Sequence, residues 1–171
     1  MKNINNLLHT NKLMKTSTVL KIIIAVIICL GIGFIGSIAT QTSVETWYTT
    51  LEKPSFTPPG WLFGPVWTLL YILMGVAAGI VWSRGFHHIW VKTALYHFGF
   101  QLVLNASWSI AFFGYQSPLA GLLIIIALII LVLITYKWFK IVNNWAAYLL
   151  IPYIIWIFYA AALNFEIWRL N

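Results

Sequence analysis

The chain has 171 residues, of which 10 are Lys or Arg and 3 are Asp or Glu, so only 8% carry a formal charge, while 61% are hydrophobic. Because an ordinary soluble domain is about 25% charged, this composition excludes a soluble enzyme, a disordered chain and a disulfide scaffold. It indicates a protein that crosses a membrane several times. The single Cys29 and the lack of Asp leave no material for paired-carboxylate, two-metal or intrachain disulfide chemistry.

Five long apolar stretches follow one another along the chain, each close to the roughly 20 residues that a membrane-spanning helix needs. They cover about residues 19–40, 63–83, 93–113, 118–139 and 145–168. Because these stretches take up nearly the whole chain, we predict one all-α domain over residues 1–171. This domain is an integral membrane bundle of five transmembrane helices with a basic N-terminal tail at 1–18. Pro65 suits the first turn of the second helix, where a missing N–H costs nothing.

The basic side chains divide unevenly between the two ends of this bundle. The end that holds the N-terminus carries eight of them: Lys2, Lys12, Lys15, Lys21, Arg84, Lys92, Lys137 and Lys140. The other end carries Lys53 and Arg169. Since cytoplasmic loops are enriched in Lys and Arg, we predict the N-terminus inside and the C-terminus outside. The net charge of +7 is too scattered to form a phosphate-binding track, so we expect no nucleic-acid partner.

The first apolar stretch has a second interpretation. Lysines, then an Ile-rich run, then the small residues of Ser37-Ile38-Ala39 are also typical of a secretory signal peptide. The apolar stretch is longer than the usual core of a signal, so we expect a retained helix. Cleavage, the alternative, would leave four helices and would be visible in the mass of the mature protein.

Two glycine patterns and one histidine also allow more than one interpretation. The G-x-G-x-x-G at 31–36 lies inside a membrane span, where glycines allow helices to approach and do not bind dinucleotides. Gly75 and Gly79 mark either a dimer interface or packing within the chain, and we favour the latter. His97 stands alone in the membrane, which favours a hydrogen bond to a helix over a haem ligand. We therefore predict no metal site and no cofactor.

The loop between the first two spans is the most informative segment. From Trp47 to Trp67 it contains four prolines and several large aromatic residues. Because proline fixes φ and removes a donor, this composition predicts a rigid, aromatic-rich cap. The cap is either a structural plug over the bundle or a lid on an apolar binding cavity.

Three predicted helices offer faces that match this cap. These faces hold Trp67, Leu70, Tyr71 and Met74 on the second span, Gln101, Asn105 and Trp108 on the third, and Tyr153, Trp156, Ala160 and Leu163 or Asn164 on the fifth. A polar amide within a membrane needs a partner or faces the protein interior, so Gln101, Asn105 and Asn164 should point inward. Aromatic faces around a few donors predict a site for a large, flat, mostly apolar ligand. Each stripe taken alone is by default typical of a packed core, and the binding-site interpretation gains support because three helices and one loop offer similar faces.

The combined motifs resemble the TspO/MBR family of tryptophan-rich sensory and translocator proteins over about residues 47–171. The loop reads W-Y-x-x-L-x-K-P-x-F-x-P-P-G-W-x-F-G-P-V-W, N-x-x-W follows at Asn105 and Trp108, and P-Y-x-x-W-x-x-Y-A-x-x-L-N runs from Pro152 to Asn164. The resemblance implies a five-helix bundle, usually a homodimer, that binds tetrapyrroles such as protoporphyrin IX and haem, and also sterols, under the first loop. Carried over by position, the lining residues are Trp47, Tyr48, Pro58, Trp67, Asn105, Trp108, Trp156, Ala160 and Leu163. The helix faces add Tyr71 and Tyr153 to this set.

Three functions remain open at this stage. The leading hypothesis is a membrane receptor or sensor for porphyrin-type tetrapyrroles, with Lys53 placed to meet a propionate. The second is light- or oxygen-dependent porphyrin breakdown, in which Trp67 and Trp156 are the redox-capable side chains and no other catalytic group is available. The third is transport of tetrapyrrole or sterol-like ligands, against which stands the lack of an inverted repeat or an embedded coupling carboxylate. The Lys-, Ile- and Asn-rich tail indicates a bacterial cytoplasmic membrane.

Overall fold

The structure is a computed structural model that describes the backbone of residues 2–171 and the side chains of residues 16–41 and 43–171. Over that range the chain is helical and contains no strand. The helices are α1 (Lys2–Val44), α2 (Trp47–Thr50), α3 (Gly60–Ser83), α4 (Ile89–Ser109), α5 (Pro118–Val142), α6 (Asn144–Tyr148) and α7 (Ile151–Leu170). A π-helical segment, Ile110–Gly114, continues α4. The side chains of Lys2, Lys12 and Lys15 in the predicted basic tail lie outside the described residues.

Four helical stretches of the described chain are long and apolar enough to cross a membrane. They are Thr16–Gln41, Gly60–Ser83, Pro118–Val142 and Asn144–Leu170. Helix α4 has 21 residues and is less apolar, because Lys92, His97, Gln101 and Asn105 interrupt it. The all-helical fold class is therefore confirmed, while the fifth membrane span remains a prediction.

Among the observed helix bounds that differ from the predicted ones, three change the interpretation of the sequence. Helix α1 begins at Lys2, well before residue 19. Helix α3 begins at Gly60, directly after the extended Pro59, so Pro65 lies inside the helix and its predicted place in the first turn is wrong. The last apolar stretch is divided into α6 and α7, and Pro152, which has no N–H to donate, lies in the first turn of α7.

Helices α1 and α3 pack at very short range because two glycines of α3 face α1. A Cβ atom at Gly75 would lie 2.8 Å from the backbone nitrogen of Val26 and would overlap its Cα. A Cβ atom at Gly79 would lie 2.9 Å from the backbone nitrogen of Ile22 and would overlap that residue's Cα. The G-x-x-x-G pair therefore serves packing within the chain, as the sequence analysis favoured.

The polar amides of the long helices point into the bundle. The side chains of Gln101, Asn105 and Asn164 are each only 1% exposed, which confirms their predicted inward orientation. Large apolar side chains such as Phe100 and Ile155, in contrast, are exposed on the outer faces of their helices. This inside-out distribution is what a lipid environment favours, because an exposed amide in hydrocarbon would lose its hydrogen bonds.

Candidate ligand-binding site

A chain of buried hydrogen bonds joins three helices at the centre of the site. The Tyr71 hydroxyl of α3 donates to Asn105 Oδ1 of α4. Asn105 Nδ2 donates to the Tyr153 hydroxyl of α7 at 3.0 Å, and that hydroxyl donates to Gln101 Oε1 at 2.9 Å. Because each of these groups is buried, the network fixes α3, α4 and α7 relative to one another.

Trp67 lies at the centre of the aromatic groups that surround this network. Its ring centroid is 5.7 Å from that of Tyr71, 6.3 Å from that of Trp108 and 6.3 Å from that of Tyr153. The Trp108 indole nitrogen also donates to Asn164 Oδ1 at 3.0 Å. The structure thus brings five predicted lining residues together: Trp67, Tyr71, Asn105, Trp108 and Tyr153.

The π-helical segment supplies two aromatic residues that the sequence analysis did not include in the site. Phe112 stacks on Trp108 with centroids 5.6 Å apart, and Phe113 lies 4.8 Å from Phe112. Gly121 of α5 makes room for this arrangement, since a Cβ atom there would lie 3.0 Å from the Phe112 ring. The sequence does allow a prediction for Phe112, because this residue follows Trp108 by four positions and so lies on the same helix face.

The segment 45–59, here called the lid, closes one end of the bundle. Trp47 packs edge-on against Phe112 at 5.6 Å, and Tyr48 packs against Phe113 at 5.6 Å. The Lys53 ammonium lies 4.6 Å above the Tyr48 ring. Burial raises the pKa of the Tyr48 hydroxyl above its usual value, so this ring is uncharged at physiological pH. The lid therefore presents neutral aromatic rings to the bundle and holds Lys53 over one of them.

Two polar contacts tie the lid to α7. The Tyr159 hydroxyl donates to the carbonyl oxygen of Phe56 at 2.7 Å, and their rings pack edge-on at 6.2 Å. The Glu52 backbone N–H donates to Asn171 Oδ1 at 3.0 Å, and Asn171 Nδ2 donates back to the Glu52 carbonyl oxygen at 3.1 Å. The second contact is a two-point pairing between a side-chain amide and a backbone peptide.

Trp156 lies beside the lid and has an unused donor. Its ring packs against Phe63 at 6.0 Å and against Tyr159 at 5.4 Å. Its indole nitrogen is buried and has no hydrogen-bond partner, a condition found at no other side-chain nitrogen or oxygen in the part of the chain that the structure describes. Buried polar groups nearly always have a hydrogen-bond partner, so this N–H is a candidate donor to a bound ligand.

The remaining predicted residues occupy the edges of the site. Ala160 and Leu163 are buried on α7, and Leu163 belongs to the cluster against which Trp47 and Tyr48 pack. Pro58 is half-buried in the lid.

The aromatic rings at the centre of the site are in contact with one another, so a flat ligand needs some of them to separate. An open cleft of about 380 Å³ lies at the outer edge of the lid, and Trp47 is part of its wall. The cleft is lined by Trp47, Leu51, Gln116, Ser117, Pro118, Leu119, Trp168 and Asn171. This volume is at the lower end of the range for small-molecule pockets.

The His97 ring is already engaged by protein groups. Its Nδ1 donates to the carbonyl oxygen of Thr93 at 2.8 Å, and the ring stacks on Trp138 at 6.2 Å. Among the described residues there is no group of three or more His, Cys, Asp or Glu that could hold a metal ion. The geometry of His97 fits the hydrogen-bonding interpretation.

Comparison with known proteins identifies the family. The sequence profile of the TspO/MBR family matches residues 25–169. The chain belongs to the TspO/MBR family. It is 50% identical over 154 residues to the tryptophan-rich protein TspO of Archaeoglobus fulgidus, covering 90% of this chain and 98% of that one. It is 36% identical over 143 residues to the translocator protein of Homo sapiens, covering 81% and 82% of the two chains. Membership in this family and the apolar helices together make the chain an integral membrane protein of the TspO/MBR type.

The two-point pairing at Asn171 predicts a measurable effect on the lid of this TspO/MBR protein. Asn171→Ala removes both hydrogen bonds to Glu52, and we expect the Glu52 amide to exchange with solvent deuterium about fivefold faster, from roughly 1 kcal/mol of lost hydrogen bonding. Hydrogen–deuterium exchange over residues 45–59 measures this change. The control is Arg169→Gln, which removes an exposed 2.6 Å ion pair with Glu166 and should leave the lid unchanged. Equal exchange rates in both variants would contradict the pairing.

Proposed function

We propose that the protein is a membrane receptor or sensor that binds porphyrin-type tetrapyrroles, such as protoporphyrin IX and haem, and related apolar ligands beneath the lid. The unpaired, buried indole N–H of Trp156 is the observation that carries this proposal. An unsatisfied buried donor costs about 1–3 kcal/mol. A ligand that offers an acceptor to this N–H removes the cost, so the hydrogen bond contributes favourably to binding.

The other groups of the site support a flat and mostly apolar ligand. The ring centroids of Trp67 and Trp108 lie 6.3 Å apart with an angle of 30° between the ring planes, which supports a site that stacks aromatic planes. Aromatic faces bind flat conjugated molecules in offset stacks. We propose Trp47, Tyr48, Pro58, Trp67, Tyr71, Asn105, Trp108, Tyr153, Trp156, Ala160 and Leu163 as the lining residues.

The placement in the membrane is also a proposal. The two amides and the imidazole of α4 have hydrogen-bond partners within the protein, since Gln101 and Asn105 bond to Tyr153 and His97 bonds to its own helix. A helix whose polar groups are satisfied in this way can cross a bilayer, so we propose five spans. We further propose the N-terminus inside, the C-terminus outside, a bacterial cytoplasmic membrane and a homodimer. Relatives named tryptophan-rich sensory protein and translocator protein support a sensing or translocating role.

A second candidate function, light- or oxygen-dependent porphyrin breakdown, is favoured by the contiguous redox-active rings of Trp67, Tyr71 and Trp108. Such rings can pass an electron to or from a photoexcited ligand. Loss of porphyrin absorbance in the light but not in the dark, and faster than for free porphyrin, would favour breakdown over sensing. Accumulation of porphyrin inside proteoliposomes would favour transport of the ligand.

Titration of protoporphyrin IX into the purified protein tests the receptor proposal. Wild-type tryptophan fluorescence should be quenched saturably. Trp156→Phe keeps an aromatic ring but removes the indole donor, so we expect the dissociation constant to rise about tenfold, the equivalent of roughly 1.4 kcal/mol for one buried hydrogen bond.

The control for this titration is Trp145→Phe, the same change at an indole that is 75% exposed in α6. This variant should bind with wild-type affinity. Unsaturable quenching of the wild type would overturn the proposed function. Unchanged affinity in Trp156→Phe would remove Trp156 from the site.

A further inference from the structure

The end of the bundle opposite the lid is strongly basic. It contains the end of α3, the beginning of α4 and the end of α5, and Ile22 of α1 packs there against Gly79. The described charged residues at this end are all cations: Lys21, Arg84, Lys92, Lys137 and Lys140. The three acids of the chain, Glu45, Glu52 and Glu166, lie at the lid end.

These cations have no carboxylate partner among the described side chains. The ion pair that the structure does contain, Arg169 with Glu166 at 2.6 Å, lies at the lid end. The Lys92 ammonium lies 6.0 Å from the centroid of the Phe86 ring and makes only a weak cation–π contact. The positive charge of this end is therefore available to an external anion.

Two indoles stand next to these lysines. The Trp138 ring stacks on Trp90 at 6.1 Å, and Trp90 remains 55% exposed. Tryptophan is enriched at the headgroup level of a membrane, where its ring is apolar and its N–H is polar. We call the set Trp90, Lys92, Lys137, Trp138 and Lys140 the basic patch.

An exposed apolar stripe leads away from the basic patch on each of its two helices. On α4, Tyr96, Phe100 and Val103 follow Lys92 at spacings of four, eight and eleven residues, and all three are exposed. On α5, Leu133, Ile130 and Ile126 precede Lys137 at spacings of four, seven and eleven, and they too are exposed. Such spacings place each stripe on one helix face. Each helix thus presents a cation at one end of an apolar track.

We propose that the basic patch binds an anionic phospholipid, with its phosphate headgroup at Lys92, Lys137 and Lys140 and its acyl chains along the two stripes. Basic residues at the membrane surface attract anionic lipid, and basic pockets between transmembrane helices bind such headgroups. The apolar stripes favour a lipid over a soluble phosphate, because only a lipid has acyl chains that can lie along them. This site lies at the opposite end from the lid and does not depend on the proposed porphyrin function.

Tryptophan quenching by brominated lipids tests the proposal on the full chain. The protein is reconstituted in phosphatidylcholine vesicles that contain either brominated phosphatidylglycerol or brominated phosphatidylcholine, and the two quenching curves give the relative affinity for the anionic lipid. The wild type should prefer phosphatidylglycerol. In the variant with Lys92→Gln, Lys137→Gln and Lys140→Gln, the preference should fall about fivefold for each lysine removed.

Two controls make the result specific to the basic patch. Lys53→Gln removes a cation at the lid end and should leave the preference unchanged. Inorganic phosphate added to the wild type should not displace the lipid. A wild type without preference, an equal loss in Lys53→Gln, or displacement by inorganic phosphate would overturn the proposal. If the triple variant loses helix content by circular dichroism, the exposed single variant Lys137→Gln carries the same test with a fivefold effect.

Discussion

Gly75→Val should lower the free energy of unfolding by about 3 kcal/mol, because overpacking at a rigid backbone contact costs up to that amount. The new Cβ would overlap Val26 Cα, and a helix backbone cannot rotate away as a flexible side chain can. Helices α1 and α3 would have to separate. Unfolding in a denaturing detergent, followed by circular dichroism, measures the loss.

Gly99→Val is the matched control for this experiment. Gly99 also lies inside a long helix, α4, but a Cβ atom there would have no atom within 4 Å apart from its own stretch of helix. Since Val has a higher helix propensity than Gly, we expect no loss of stability in this variant. Equal destabilisation at both positions would show that close packing of α1 on α3 is not the cause.

Asn105→Leu should cost about 2–3 kcal/mol of stability, because it removes a side chain that bonds to two buried phenols. The Tyr71 hydroxyl loses its acceptor, and the Tyr153 hydroxyl loses a donor. Leucine has the same branched skeleton as asparagine, with methyl groups in place of the amide oxygen and nitrogen, so the substitution leaves no cavity. Since the same residues surround the proposed ligand, porphyrin affinity should fall as well. Detergent-induced unfolding and the fluorescence titration measure the two effects.

Two further variants test whether the hydrogen-bond network is the cause. Ser107→Ala removes an exposed hydrogen bond of 2.8 Å to Val103 within the same helix, and it should change the stability by less than about 0.5 kcal/mol. Adding Tyr71→Phe to Asn105→Leu removes the hydroxyl that lost its acceptor, so about 1 kcal/mol should be recovered. A further loss in the double variant would contradict the assignment of the effect to an unsatisfied phenol.

Sequence reasoning located the inward-facing polar groups because the membrane makes their orientation nearly obligatory. An amide in hydrocarbon has no other place to bond, and Gln101, Asn105 and Asn164 are accordingly buried. The partners of these amides were not predictable. Whether Asn105 meets Tyr71, Tyr153 or a backbone carbonyl depends on how the helices rotate against each other, and helical periodicity does not contain that information.

Features that depend on contacts distant in the sequence were also missed. The composition of the lid predicted a rigid aromatic cap, but its pairing with Asn171 joins residues 119 positions apart and leaves no local pattern. The early start of α3 at Gly60 was missed because Pro65 favours a helix start. The π-helical segment was missed because its apolar residues fit an α-helix equally well.

The π-helical segment fixes the number of residues between Trp108 and the beginning of α5. Its wide turn is closed by a hydrogen bond of 2.9 Å from the Tyr115 N–H to the Ile110 carbonyl oxygen, five residues earlier. Deleting one residue would replace this wide turn by an ordinary α-helical turn, and the side chains within it would point in other directions. The Phe112 and Phe113 rings would then no longer both reach the lid. During divergence, insertions and deletions should therefore avoid residues 110–117 and accumulate in the exposed turn at 84–88.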